Sequence, residues 1–138
     1  MTPNTMEKMT GPKPASCETS CMSAVEYFTA KLDCEMTPWT LKGMMDKNAM
    51  KDVCLIDVRP VEDYKKCHIS MAMCIPLAEL GAKMNTLPKD KTIVAYCGDM
   101  TCGLAPKACL ELSKKGFKAM MLIGGMESWM EKRFPTDK

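Results

Sequence analysis

Two cysteines, Cys97 and Cys102, bracket Gly98-Asp99-Met100-Thr101, and Gly103 follows them. The five residues before Cys97, Thr92 to Tyr96, are a short apolar run, and a helical pattern begins at Leu104. A thiol at the end of a buried strand, on a short loop feeding a helix, sits where backbone N–H groups converge. Converging N–H groups and the positive end of a helix favour thiolate over thiol. Cys97 is thus the nucleophile candidate of the chain. On the residues alone, a strand-end cysteine without chemistry is the alternative. His68, the single histidine, is a candidate base for such a thiol. Asp57 and Arg59 directly follow another apolar run, at the edge where α/β sites form.

The elements that would position these residues follow from periodicity. Val53-Cys54-Leu55-Ile56, closed by Asp57, has the continuous apolar character of a strand buried on both faces. Thr92–Tyr96 is the clearest strand. Ala119–Ile123 is a third, turned by Gly124-Gly125 into a final helix containing Trp129, and Ala72–Ile75 is a short one stopped by Pro76. Helices are expected over 20–33, from Thr37-Pro38 to near Asn48, over 61–66, 77–84 and 104–115. Ala105, Ala108, Cys109 and Leu112 share one face of the 104–115 helix, and Gly116 is placed to end it. Strands alternating with helices predict an α/β fold, a central and mostly parallel sheet with helices on both faces.

At 138 residues the chain has room for one moderate core. Hydrophobic residues make up 46% and charged residues 26%, as in ordinary globular proteins. A net charge of +2 without a basic block points away from nucleic acid. No apolar run approaches the roughly 20 residues that cross a bilayer, so no membrane partner is expected. Residues 1–16 carry three prolines and read as a flexible tail with no export signal. Residues 17–34 read as a helical extension and 35–138 as the main domain. Nine cysteines, an odd number, cannot all pair within one monomer. Several lie in apolar runs, as reduced core cysteines do, and a cytoplasmic, reducing setting is expected. Cys17, Cys21 and Cys34 lack the second close pair of a structural zinc site, so no metal is expected. Gly124-Gly125 lacks the rest of a nucleotide-binding glycine pattern and reads as a turn.

Three segments, in order, resemble the signatures of rhodanese-like domains. Leu55-Ile-Asp-Val-Arg-Pro-Val-Glu-Asp-Tyr64, with Cys67-His-Ile-Ser70 and Ile75-Pro76, resembles the opening signature. Tyr96-Cys97 and its loop resemble the active-site loop, and Ile123-Gly-Gly-Met-Glu-Ser-Trp129 resembles the closing one. The resemblance implies that Cys97 carries sulfur as a persulfide from a donor to a thiol or cyanide acceptor, with no metal or organic cofactor. It implies that residues 97–102 wrap the sulfur with their N–H groups, that Asp57 and Arg59 are scaffold beside the site, and that His68 is structural.

Many family members have arginine where this chain has Cys102, and often further cations in the loop. Here the loop carries an acid, Asp99, and no base. A dianion such as thiosulfate finds no charge partner in it, and an inward-pointing Asp99 repels it. A small-molecule or protein persulfide is therefore the expected donor. Cys102 could also act as a resolving thiol, making the pair a thiol–disulfide or persulfide reductase. A non-catalytic binding module is a further alternative. Phosphatase or arsenate reductase chemistry would want a longer loop and an arginine for the oxyanion. Oligomeric state and the role of residues 1–34 are not encoded in any of these patterns.

Overall fold

The computed structural model describes residues 21–138. The expected tail over 1–16, Cys17 and the first residue of the helix expected over 20–33 lie outside the described residues. The described residues fall into two units, the first ending at Lys31 and the second running over 32–138. Helix α1, Ala24–Cys34, starts on a reciprocal capping box. Its Ser23 Oγ accepts from the Glu26 N–H at 3.1 Å, and Glu26 Oε1 accepts from the Ser23 N–H at 3.0 Å. No described helix is long and apolar enough to cross a membrane.

The second unit is built on a five-stranded sheet. Its elements run β1 (Glu35–Met36), α2 (Pro38–Asp46), β2 (Val53–Asp57), α3 (Val61–Lys66), β3 (His68–Ile69), β4 (Met73–Cys74) and α4 (Leu77–Lys83). They continue with β5 (Thr92–Tyr96), α5 (Leu104–Lys114), β6 (Lys118–Leu122), α6 (Gly125–Glu131) and β7 (Thr136–Asp137). The sheet order is β1-β6-β5-β2-β4, and every pairing in it is parallel. The expected parallel α/β sheet is present. The expected elements recur within a residue or two, save α1, which begins at Ala24. The additions are β1, β3 and β7, of two residues each, with β3 and β7 forming a separate antiparallel pair. Two residues are too few to display a period of two.

Side-chain alternation along the strands separates two cores. On one face Cys54, Ile56, Ile93, Ala95 and Cys97 pack with Leu80 of α4 and with Ala105, Ala108 and Leu112 of α5. On the other, Leu55, Val94, Tyr96 and Leu122 pack with Leu41 of α2 and with Met126 and Trp129 of α6. Helix α5 ends as its glycine requires. Gly116, at φ +88°, donates to the Ser113 carbonyl at 3.1 Å, and Phe117 donates to that of Leu112 at 3.1 Å. That is a Schellman closure, and it buries Phe117.

Candidate active site

Cys97 lies one residue beyond β5 and is 3% exposed. Its thiol donates to the Cys102 carbonyl at 3.5 Å. The loop curls because Asp99 turns on itself. Its Oδ1 accepts from the Thr101 N–H at 2.8 Å and the Thr101 hydroxyl at 2.7 Å, and its carbonyl accepts from the Cys102 N–H at 3.3 Å. These are the local bonds that Asp and Thr favour in turns. They hold the Asp99 carboxyl below its ordinary value and direct it onto Thr101. They also engage the N–H groups of Thr101 and Cys102 within the loop.

The N–H groups that favour thiolate here are those of Gly98, Leu104 and Ala105. Gly98 and Ala105 serve Cys97, and Gly98 and Leu104 serve Cys102. Leu104 and Ala105 open α5, whose N-cap, Gly103, has no side chain to satisfy that turn. The first N–H groups of an 11-residue helix are thus left for the two sulfurs. Pro106 has no N–H and fits this first turn. Met100 and Thr101 are exposed at the loop tip.

The sequence pattern predicts a Cys97 thiolate, and the structure makes its neighbour the more acidic of the two thiols. Burial pushes the Cys97 thiol up to about 11, and its hydrogen bond to Cys102 adds to the rise. The Gly98 and Ala105 N–H groups oppose this and lose. Burial also acts against the Cys102 thiolate, but more weakly at its half-buried position. The Cys97 hydrogen bond and the Leu104 and Gly98 N–H groups outweigh it, so Cys102 falls below its ordinary value. Iodoacetamide at neutral pH should therefore modify Cys102 before Cys97. Labelling of Cys97 should climb as the pH is raised toward its value of about 11. Peptide mapping over time reads this directly, and faster labelling of Cys97 at neutral pH refutes it.

The loop is tethered from behind by α6. The Cys97 carbonyl accepts from the Met126 N–H at 2.8 Å and the Gly98 carbonyl from the Glu127 N–H at 2.9 Å. Gly125, at φ +56°, lies so close that a Cβ on it would stand 2.4 Å from the Cys97 carbonyl oxygen. The tandem glycines are a turn, as their sequence suggests. Their approach to the Cys97 backbone is a functional feature that only the fold reveals.

Asp57 and Arg59 lie at the same sheet edge but toward the other face. In the β2–β5 register Asp57 is opposite Tyr96, and Cys97 is the next residue, pointing the other way. The fully buried Asp57 carboxylate accepts from Arg59 Nη2 at 2.8 Å, the Arg59 backbone N–H at 2.9 Å and the Tyr96 hydroxyl at 2.8 Å. Arg59 also donates to the Cys67 carbonyl at 2.6 Å, and the Tyr96 hydroxyl accepts from the Ile69 N–H at 3.0 Å. The pair thus touches the residue that precedes Cys97. His68 is stacked on Tyr64, with ring centroids 3.7 Å apart, and its Nδ1 lies 2.9 Å from the Tyr64 carbonyl. Those contacts belong to packing around α3. Among the described residues no cluster of three His, Cys, Asp or Glu could hold a metal ion.

Beyond Leu104, at the carboxyl ends of β2 and β4, opens a groove of about 400 Å³. Val58, Pro60, Pro76, Leu77, Ala78 and Leu104 line it, and none of them is charged.

Residues 37–132 match the family model described as the Rhodanese-like domain. The chain is 39% identical over 99 residues to an HTH-type transcriptional regulator of Mycobacterium tuberculosis, covering 72% of this chain. It spans only 44% of that regulator's length. It is 31% identical over 81 residues to the thiosulfate sulfurtransferase GlpE of Coxiella burnetii, covering 57% of this chain and 73% of the relative. The crystal structure of the BH2092 protein from Bacillus halodurans superposes with a TM-score of 0.76 at 31% identity, over 83% of each chain. A family-model match across more than half of the sequence, on a fold shared with that crystal structure, makes this chain a member of the rhodanese-like domain family.

Proposed function

We propose that the protein is a sulfurtransferase that carries a sulfane sulfur as a persulfide on Cys97. The observation that carries this reading is the place of Cys97, at the end of β5, with its loop folded back on it and the uncapped start of α5 beside it. Cys97 attacks the outer sulfur of a donor as its thiolate, and the donor's remainder leaves as a thiolate. The new terminal sulfur is negatively charged at neutral pH and sits where oriented N–H dipoles stabilise an anion. A thiol or cyanide acceptor then attacks that sulfur and restores Cys97. The persulfide is itself the covalent carrier. Relatives named as sulfurtransferases support this chemistry in general terms.

The donor follows from charge. Residues 97–103 include no lysine or arginine, and the adjoining groove is apolar. A unit charge left without a partner at 4 Å forgoes about 4 kcal/mol in a partly screened site. A persulfide on a small molecule or a protein suits this site better than thiosulfate.

Intact-mass measurement tests both parts. Glutathione persulfide should add one sulfur to the wild-type chain and none at this site to Cys97→Ser. Thiosulfate should load the wild type at least about tenfold more slowly, the effect of some 1.4 kcal/mol in the barrier. An adduct unchanged in Cys97→Ser would sink the assignment of the carrier, and equal loading by thiosulfate would sink that of the donor.

A further inference from the structure

We propose that Cys102 resolves the Cys97 persulfide, releasing the carried sulfur as hydrosulfide and closing a Cys97–Cys102 disulfide. The inference rests on Cys97 being the sulfur carrier and adds a second outcome for the loaded sulfur.

The geometry brings the two sulfurs to one place. The turn at Asp99 and the Cys102 N–H bond to its carbonyl fold the loop back, so that the Cys102 carbonyl lies 3.5 Å from Cys97 Sγ. Cys102 packs against the same core cluster that holds Cys97, on the same side of the sheet. No charged side chain from the loop competes for this space, because the Asp99 carboxylate is bonded to Thr101. Position 102 is half-buried, so water reaches its thiol and can take the proton that leaves the attacking thiolate.

The step balances without an external oxidant. Cys102 thiolate attacks Cys97 Sγ of the persulfide. A bond forms between the two cysteine sulfurs, and the bond from Cys97 Sγ to the outer sulfur breaks. The outer sulfur, already an anion, leaves with that electron pair and takes a proton from water, as HS⁻. It is reduced by two electrons overall with respect to its sulfane state, while the two cysteines become a disulfide. A small thiol or dithiol then reopens the disulfide by exchange and returns the protein to its starting state. Because attack is intramolecular, an external acceptor must compete with a nucleophile held in place. The protein would hand sulfur on when acceptor is abundant and discharge it as sulfide when acceptor is scarce.

The test loads the full chain with glutathione persulfide at mildly alkaline pH, removes excess donor, and follows mass and free sulfide without acceptor. Wild-type protein should lose its added sulfur, become two hydrogens lighter than the starting chain, and release one sulfide per chain. A non-reducing peptide map should join Cys97 to Cys102. Cys102→Ser and Cys102→Ala should retain the added sulfur at least about tenfold longer. Two variants guard against one that folds poorly. Wild type that holds its sulfur as long as both variants do, with no sulfide released, overturns the resolving role and leaves the carrier intact. A chain that never gains sulfur, in wild type or variants, overturns the carrier and the resolving role together.

Discussion

Gly125→Ala is expected to disable sulfur loading and destabilise the protein in one change. The new methyl would sit 2.4 Å from the Cys97 carbonyl oxygen and 3.0 Å from the carbonyl carbons of Cys97 and Gly98. Those atoms are backbone, so no rotamer relieves the clash. Position 125 also has φ +56°, where a side chain costs about 1–2 kcal/mol. Relief requires α6 or the loop to move, and either movement stretches the Met126 and Glu127 bonds to the Cys97 and Gly98 carbonyls. Overpacking of this kind costs roughly 1–3 kcal/mol, so a total near 3 kcal/mol is expected in urea unfolding. Loading of Cys97 should slow by about a hundredfold, the usual effect of a reacting atom displaced by about 1 Å. Gly98→Ala is the control, since a Cβ there meets nothing within 4 Å. Near-normal loading by Gly125→Ala would show that α6 does not hold the loop.

Asp57→Ala should cost still more stability, about 3–5 kcal/mol, because it strands a charge. The carboxylate is fully buried, and the Arg59 side chain it pairs with is only 13% exposed. Without Asp57 the guanidinium keeps one recorded bond, to the Cys67 carbonyl, and the Tyr96 hydroxyl loses its acceptor. Tyr96 then carries the damage across the sheet, since it is the residue before Cys97. Tyr96→Phe removes the hydroxyl but leaves the ion pair, and should cost only about 1–3 kcal/mol. The order of the two variants in urea midpoint is the measurement. An Asp57→Ala variant no less stable than Tyr96→Phe would mean that the ion pair contributes nothing to the scaffold.

The five-residue strands β2 and β5 were legible because parallel strands buried on both faces read as unbroken apolar runs. Helix α5 was legible because Ala105, Ala108 and Leu112 repeat at helical spacing and Gly116 marks its end. Strands β1, β3 and β7 carry too few residues for any period. The loop around Cys97 could be placed from sequence, and so could its lack of a base. The ionisation of its two thiols could not, because it turns on how deeply each is buried. Asp57 and Arg59 were identifiable as a pair, but their position across the sheet from Cys97 depends on register, which pairs Asp57 with Tyr96. Gly125 was visible as a turn residue, and its distance from the Cys97 carbonyl is a property of two segments far apart in sequence.

The bare start of α5 has a consequence for the protein as it works. Most helices carry a Ser, Thr, Asp or Asn that completes their first turn permanently. Here Gly103 leaves that place open, and under the proposed function the persulfide anion would fill it. The cargo would then be a removable piece of the helix: the domain would be whole when loaded and lack one part of itself after each transfer.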